Sequence, residues 1–178
     1  MTPLKTRVKR LLIIAVLLIF PGKFYSQGDD ANNTAKENPA SVITIYDDII
    51  SFSEQYLGTP YRRGAAGPNR FDCSGFTSFV FKNFGLALSH GCIHQVNEGT
   101  PVSQSDLKKG DLIFFKGRSL KSKRVGHVGI VISNEGDSEI TFIHASCRKG
   151  VTIDKLDSKY YKARYITGLR VLSENANS

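Results

Sequence analysis

Apolar positions recur with three different spacings along the chain. Residues 11–20, LLIIAVLLIF, form one uninterrupted apolar run. Ile45, Ile49, Phe52 and Tyr56 then fall at helical spacing, which predicts an amphipathic helix stopped by Gly58 and Pro60. After the glycine-containing loop YRRGAAGPNR, Phe76, Phe79, Val80 and Phe84 line one face of a second helix, with Asp72 placed to cap its start and Gly85 to end it. LSHGCIHQVNEG reads as helical or irregular. Beyond it the pattern becomes short and strand-like: DLIFF, HVGIVIS, EITFIHAS, GVTIDKL and ARYITGLRVL, separated by polar or glycine turns. Helices followed by a strand series predict an α+β domain over residues 45–172, with N-terminal helices packed on an antiparallel sheet.

The flanks read differently. KTRVKR followed by the ten-residue apolar run and Pro21-Gly22 has the order of an export signal, with cleavage expected near YSQ, so residues 1–27 are assigned to it. A spanning helix needs about 20 apolar residues, so no stable membrane anchor is expected after cleavage. No cysteine ends the apolar run, so a lipid-anchored form is not supported. Residues 28–44 are small and polar and are expected to be a linker; 173–178 form a polar tail. The protein is thus expected to be exported, to the periplasm or the medium.

Charge changes the picture little. The formal +8 over 178 residues invites a nucleic-acid reading, but five of the 24 basic residues and none of the 16 acidic ones precede residue 28. That leaves 19 basic against 16 acidic residues, a net +3, for the remainder. No nucleic-acid partner is expected.

Cys73, at the start of the second helix, admits two readings. Unpaired backbone N–H groups at a helix start favour a thiolate and could hold an oxyanion, which suits a nucleophile. Alternatively it is a buried thiol filling space beside Gly75. The chain carries three cysteines, Cys73, Cys92 and Cys147, an odd number for an exported protein. Either all three are small core residues, or Cys92 and Cys147 bridge and leave Cys73 free.

The histidines bear on that choice. If NEGD is a four-residue hairpin turn pairing Ser133 with Ser138, His127 stands directly opposite His144 on one sheet face. One imidazole could then orient the other, with His127 the general base and His144 the group that fixes it. A one-residue slip would put them on opposite faces. His90 and His94 lie four apart around Cys92, a metal-ligand spacing, but no second ligand pair matches them; neither a metal nor an organic cofactor is expected.

GTPYRRG, FDCSGF, DLKKGDLIFF, GHVGIVI and FIHAS, in that order, resemble the NlpC-type family of bacterial cell-wall cysteine peptidases, small papain-like enzymes. The resemblance runs from about Tyr56 to Leu172. It implies Cys73 as nucleophile, His127 as base, His144 as the third polar residue, and Tyr61 as a hydroxyl near the oxyanion. It also implies that Asp72 and Ser74 help hold a substrate amine, although by themselves they read as a helix cap and a first-turn hydroxyl. Where family members often carry Pro-Arg, this chain has Ser89 and His90. The implied function is hydrolysis of peptidoglycan stem peptides at the γ-D-glutamyl–diamino acid bond, commonly meso-diaminopimelate, by a protein expected to be monomeric. Other papain-like amidases, acyltransferases and a non-catalytic wall-binding protein are the alternatives. Lys116, Arg118, Lys121, Lys123 and Arg124, between DLIFF and His127, form a basic loop that is either solvated or steers substrate carboxylates.

Overall fold

The computed structural model describes residues 39–133 and 136–172, with side chains from Ile45 onward. The expected export signal, the expected linker before residue 39 and the tail from 173 lie outside the described residues.

The first helix, α1, runs Pro39–Glu54, so it starts six residues before the apolar periodicity and takes up positions 39–44 of the expected linker. Proline is tolerated there because a first-turn N–H has no helical partner. Ile49 and Ile50 are buried, and Phe52 and Tyr56 reach the second helix, α2, Cys73–Lys82. Phe52 stacks on Phe79 at 5.9 Å, while Tyr56 meets Phe79 and Phe71 edge-on at 5.1 and 5.5 Å. Such aromatic pairs add to the area they bury. They fix α2 against α1. The ambiguous stretch after α2 contains a single-turn helix, α3, Cys92–Gln95.

Six strands follow: β1 Thr100–Val102, β2 Leu112–Lys116, β3 Val125–Val131, β4 Thr141–Ser146, β5 Gly150–Lys155 and β6 Tyr165–Arg170. They make one sheet in the order β1-β6-β2-β3-β4-β5, antiparallel throughout. The five expected runs are β2 to β6. β1 is an addition, a three-residue edge strand with Pro101 at its centre, and an edge is where a strand tolerates proline. A second addition is the one-turn helix α4, Lys159–Lys162, capped by the Ser158 hydroxyl, which accepts from the Tyr161 N–H.

β2 lies inside the sheet, and Leu112 to Phe115 are fully buried because both faces are covered. Leu112, Phe114, Val128, Ile130, Ile143 and Ala145 pack with α1 and α2; Ile113, Phe115, Val131 and Phe142 pack with Leu107, Leu156, Tyr161 and Tyr165 on the other side. A strand wanted apolar on both faces reads as the continuous LIFF. The return of β6 beside β2 is closed by Arg170, whose Nε and Nη2 donate to the two oxygens of buried Asp111 at 2.9 Å each.

Candidate active site

Cys73 is the first residue of α2, and the preceding loop folds back to hold that start. Arg62 N–H donates to the Phe71 carbonyl at 2.9 Å and Asp72 N–H to the Ala65 carbonyl at 2.8 Å, so residues 60–66 lie alongside 71–72. The approach is close enough that a Cβ at Gly75 would run into the Ala65 carbonyl. Asp72 is the N-cap: its Oδ1 accepts from Gly75 N–H and its Oδ2 from Gly64 N–H, both at 2.7 Å. The Ser74 hydroxyl donates to Asp72 at 3.2 Å, and His90 Nε2 lies 3.1 Å from both oxygens. Both oxygens of Asp72 are therefore occupied. Ser74 is buried and turned onto that carboxylate.

His127 and His144 do share a face, in a register other than the expected one. β3 and β4 pair at Ile130↔Ile143 and Val131↔Phe142, and Ile132 N–H donates to the Thr141 carbonyl at 2.9 Å. The connection is therefore longer than the four-residue turn assumed (its residues 134 and 135 lie outside the described residues), and pairing slips by two. Carried along the strands, that register sets Gly129 opposite His144 and makes His127 its diagonal neighbour. A slip of two keeps side chains on the same face, so the meeting survives. A Cβ at Gly129 would stand 3.1 Å from His144 Cβ and 3.0 Å from the Ile143 carbonyl, so glycine leaves His144 its room. His127 Nε2 lies 2.9 Å from His144 Nδ1, the rings perpendicular with centroids 4.8 Å apart.

Behind His144 are two residues the sequence reading missed. His144 Nε2 lies 3.0 Å from Asp154 Oδ2 on β5, and the Tyr161 hydroxyl on α4 is 3.2 Å from that nitrogen and 3.3 Å from that oxygen. Lys149 Nζ donates to Asp154 Oδ1 at 3.0 Å. A sequence signal for Asp154 exists. The short β4–β5 hairpin pairs Ser146 with Gly150, so Thr152 stands opposite His144 and Asp154 one step along the same face. Tyr161 had none, since KYYK shows no apolar period.

Electrostatics separate the members of the site. Cys73 hydrogen-bonds with the Cys92 thiol, and that bond, followed by burial, pushes Cys73 up to about 12, while His127 pulls the other way. The same bond lowers Cys92. The bond to Cys92 and burial favour the thiol form of Cys73, whose proton His127 is placed to take. Cys92 is consequently not bridged to Cys147: all three cysteines are free, and Cys147 is exposed. Burial is the main cause that lowers His144, so it stays neutral. Tyr61 is raised first by burial and then by the charges of Cys73 and Asp72.

The remaining candidates lie apart from this chemistry. His90 turns to Asp72, and His94 packs beneath Gly91, whose Cβ would be 3.1 Å from its ring. Among the described residues no three His, Cys, Asp or Glu side chains converge as a metal site would need. Gln95, fully buried, donates to the Ser74 and Ser89 carbonyls at 3.0 and 2.7 Å and accepts from Thr77 at 2.8 Å, holding α3, and with it Cys92, against α2. The basic loop is largely exposed, with Lys116 donating to the Leu120 carbonyl at 3.2 Å.

A thiol at a helix start, an imidazole to receive its proton and a second imidazole to orient the first make up a nucleophile–base–orienter set. The chain is 35% identical over 140 residues to the murein DD-endopeptidase MepS/murein LD-carboxypeptidase of Escherichia coli K12, covering 78% of this chain and 70% of that one. A p60 protein of Listeria grayi is 43% identical over 101 residues, which is 57% of this chain and only 18% of that protein's length. Among solved structures, an NlpC/P60 family protein from Bacillus cereus matches with a TM-score of 0.65 at 33% identity, over 72% of this chain and 40% of that one. The NlpC/P60 family profile itself matches residues 58–170, from the loop before the cysteine helix through both histidine strands to the end of the sheet, and the chain belongs to that family.

Proposed function

We propose that the protein is an exported peptidoglycan hydrolase that cuts stem peptides by thiol chemistry. The observation that carries this reading is the convergence of Cys73 at the start of α2 with the His127–His144 pair. The Cys73 proton passes to His127 as sulfur attacks the amide carbonyl. The tetrahedral oxyanion lies against the first N–H groups of α2 and the Tyr61 hydroxyl. His127 then returns the proton to the leaving amine, and water, deprotonated by the same imidazole, releases the acyl group. The bond proposed is that between γ-D-glutamyl and the diamino acid. Anchoring of a free substrate amine at Asp72 would require His90 to yield its place on that carboxylate. Export is supported by the basic and apolar order of residues 5–20.

A second bond is favoured by one observation, the name of the E. coli relative, which denotes a DD-endopeptidase and LD-carboxypeptidase. Mass spectrometry of muropeptides after incubation with the reduced protein, beside Cys73→Ala, separates the two. Products split after γ-D-glutamate, absent with Cys73→Ala, are the expected outcome. Loss of cross-linked dimers with stem peptides otherwise intact would move the cut to the cross-link. No change in any muropeptide with folded, reduced protein would overturn the hydrolase reading.

A further inference from the structure

We propose that Asp154 is a positioning residue that fixes the polarity of the hydrogen-bond chain running through His144 and His127 to Cys73. The inference deepens the peptidase reading and rests on it for the role of Cys73 alone. An imidazole pair can be threaded in two directions. In one, His144 Nδ1 accepts from His127 Nε2–H, leaving the lone pair of His127 Nδ1 to take the thiol proton. In the other, His144 Nδ1–H donates to His127 Nε2, and His127 Nδ1 carries hydrogen and can accept nothing. Distances between the rings cannot distinguish the two, but the next atom can. Asp154 Oδ2 stands 3.0 Å from His144 Nε2, and an ionised carboxylate only accepts.

The carboxylate is ionised here. Although burial works against it, its bonds to His144 and Lys149 hold Asp154 below its ordinary value. The proton of neutral His144 therefore sits on Nε2. Tyr161 is the alternative donor at that nitrogen, 3.2 Å away. Burial and the field of Asp154 keep its phenol neutral, and with Asp154 present its single hydrogen has Oδ2 to go to, at 3.3 Å. His127 Nε2–H then donates to His144 Nδ1 and His144 Nε2–H to Asp154, which leaves the lone pair of His127 Nδ1 to take the thiol proton. When the thiol proton moves onto His127 Nδ1, the electron pair stays on sulfur and no other proton needs to move.

Two variants and one spectrum test this. In ¹⁵N-labelled protein, with the His144 signals assigned by their absence in His144→Asn, the long-range imidazole ¹H–¹⁵N spectrum should show the Nε2–H form of His144. Asp154→Ala leaves Tyr161 to donate to Nε2 and should shift His144 toward the Nδ1–H form, with kcat on stem peptide falling by about 10²-fold and KM little changed. Asp154→Asn keeps an acceptor oxygen, since Lys149, 61% exposed, can swing away from the new amide, and should retain the Nε2–H form and most of kcat. An Nδ1–H form in the unsubstituted protein would overturn the inference, as would an Asp154→Ala protein with unchanged kcat. An Asp154→Asn protein that keeps the Nε2–H form of His144 yet is as impaired as Asp154→Ala would also sink it, by showing that charge rather than polarity matters. The spectrum needs no substrate, so failure to cleave any peptide would count against the peptidase reading and leave the tautomer result standing.

Discussion

Two imidazole–carboxylate pairs flank Cys73, and their distances barely differ. His144 Nε2 lies 3.0 Å from Asp154, and His90 Nε2 lies 3.1 Å from both oxygens of Asp72. Their surroundings differ far more. His144 is fully buried between strands and presents its other nitrogen to His127, whereas the His90 side chain is 40% exposed on a loop. Asp154 supports a histidine that faces the base. Asp72 ends its bonds on the backbone N–H groups of Gly64 and Gly75, so His90 is a further donor on a carboxylate already engaged in capping a helix. The same two residue types thus serve as relay or as architecture according to what lies on the far side of the ring.

The largest effects should fall on the relay side. His127→Ala should lower kcat/KM on stem peptide by about 10²–10⁴-fold, the usual worth of a positioned general base. His144→Leu should follow at about 10²-fold, carried by kcat, since the base loses its orientation and not its presence. His90→Gln should cost less than about tenfold. Steady-state kinetics of the three variants would break the comparison if His90→Gln matched His144→Leu.

On the architectural side the loss should appear as stability. Asp72→Ala strands the Gly64 and Gly75 N–H groups and should destabilise the fold by about 1–3 kcal/mol, the range for losing a cap or leaving buried donors unpaired. Urea unfolding measures this directly. An unchanged midpoint would mean that the loop over α2 holds without its carboxylate.

The pH dependence of stability should report on the His144–Asp154 pair. Burial lowers His144 below its ordinary 6.5, so below that pH the unfolded chain binds a proton that the folded one resists. Its contribution is full above pH 6.5 and is lost as pH falls toward the lowered value. Asp154 is lowered from 3.8, so its contribution is present above that pH and lost on further acidification. Both slopes point the same way. The melting temperature should drop by a few degrees between pH 7.5 and 5.5, and His144→Gln should flatten that drop. An equal slope in the variant would remove His144 as the cause.

Much of this was legible in the sequence, for physical reasons. The helix cap at Asp72, the aromatic face of α2 and the five long strands are written in local spacing. The meeting of His127 and His144 was legible only because side-chain direction repeats every two residues, so an error of two in the turn left the faces right and the partners wrong. Asp154 was readable from the tighter β4–β5 hairpin. Tyr161 was not, because α4 is placed by packing under the sheet and its four residues carry no period. Nor was Cys92: nothing in SHGCIH says that Gln95 pins its turn beneath α2 with the thiol facing Cys73.

That last contact gives the smallest expected effect. The Cys73 thiol is held up to about 12 first by its bond to Cys92 and then by burial, against the pull of His127. Removing Cys92 takes away the leading cause and leaves the downward one, so Cys92→Ala should lower the Cys73 pKa, and each unit of that fall raises the thiolate fraction about tenfold. Iodoacetamide labelling of Cys73 at neutral pH, followed by peptide mass spectrometry, should therefore be faster in the variant, whereas peptide cleavage should change less. In cleavage the proton leaves for His127 during attack, so the resting equilibrium is only part of the barrier. Slower labelling would mean that Cys92 stabilises the thiolate by donating to it. The thiol beside the nucleophile would then belong to the activating side of the site, with the histidines, rather than to the loop that restrains it.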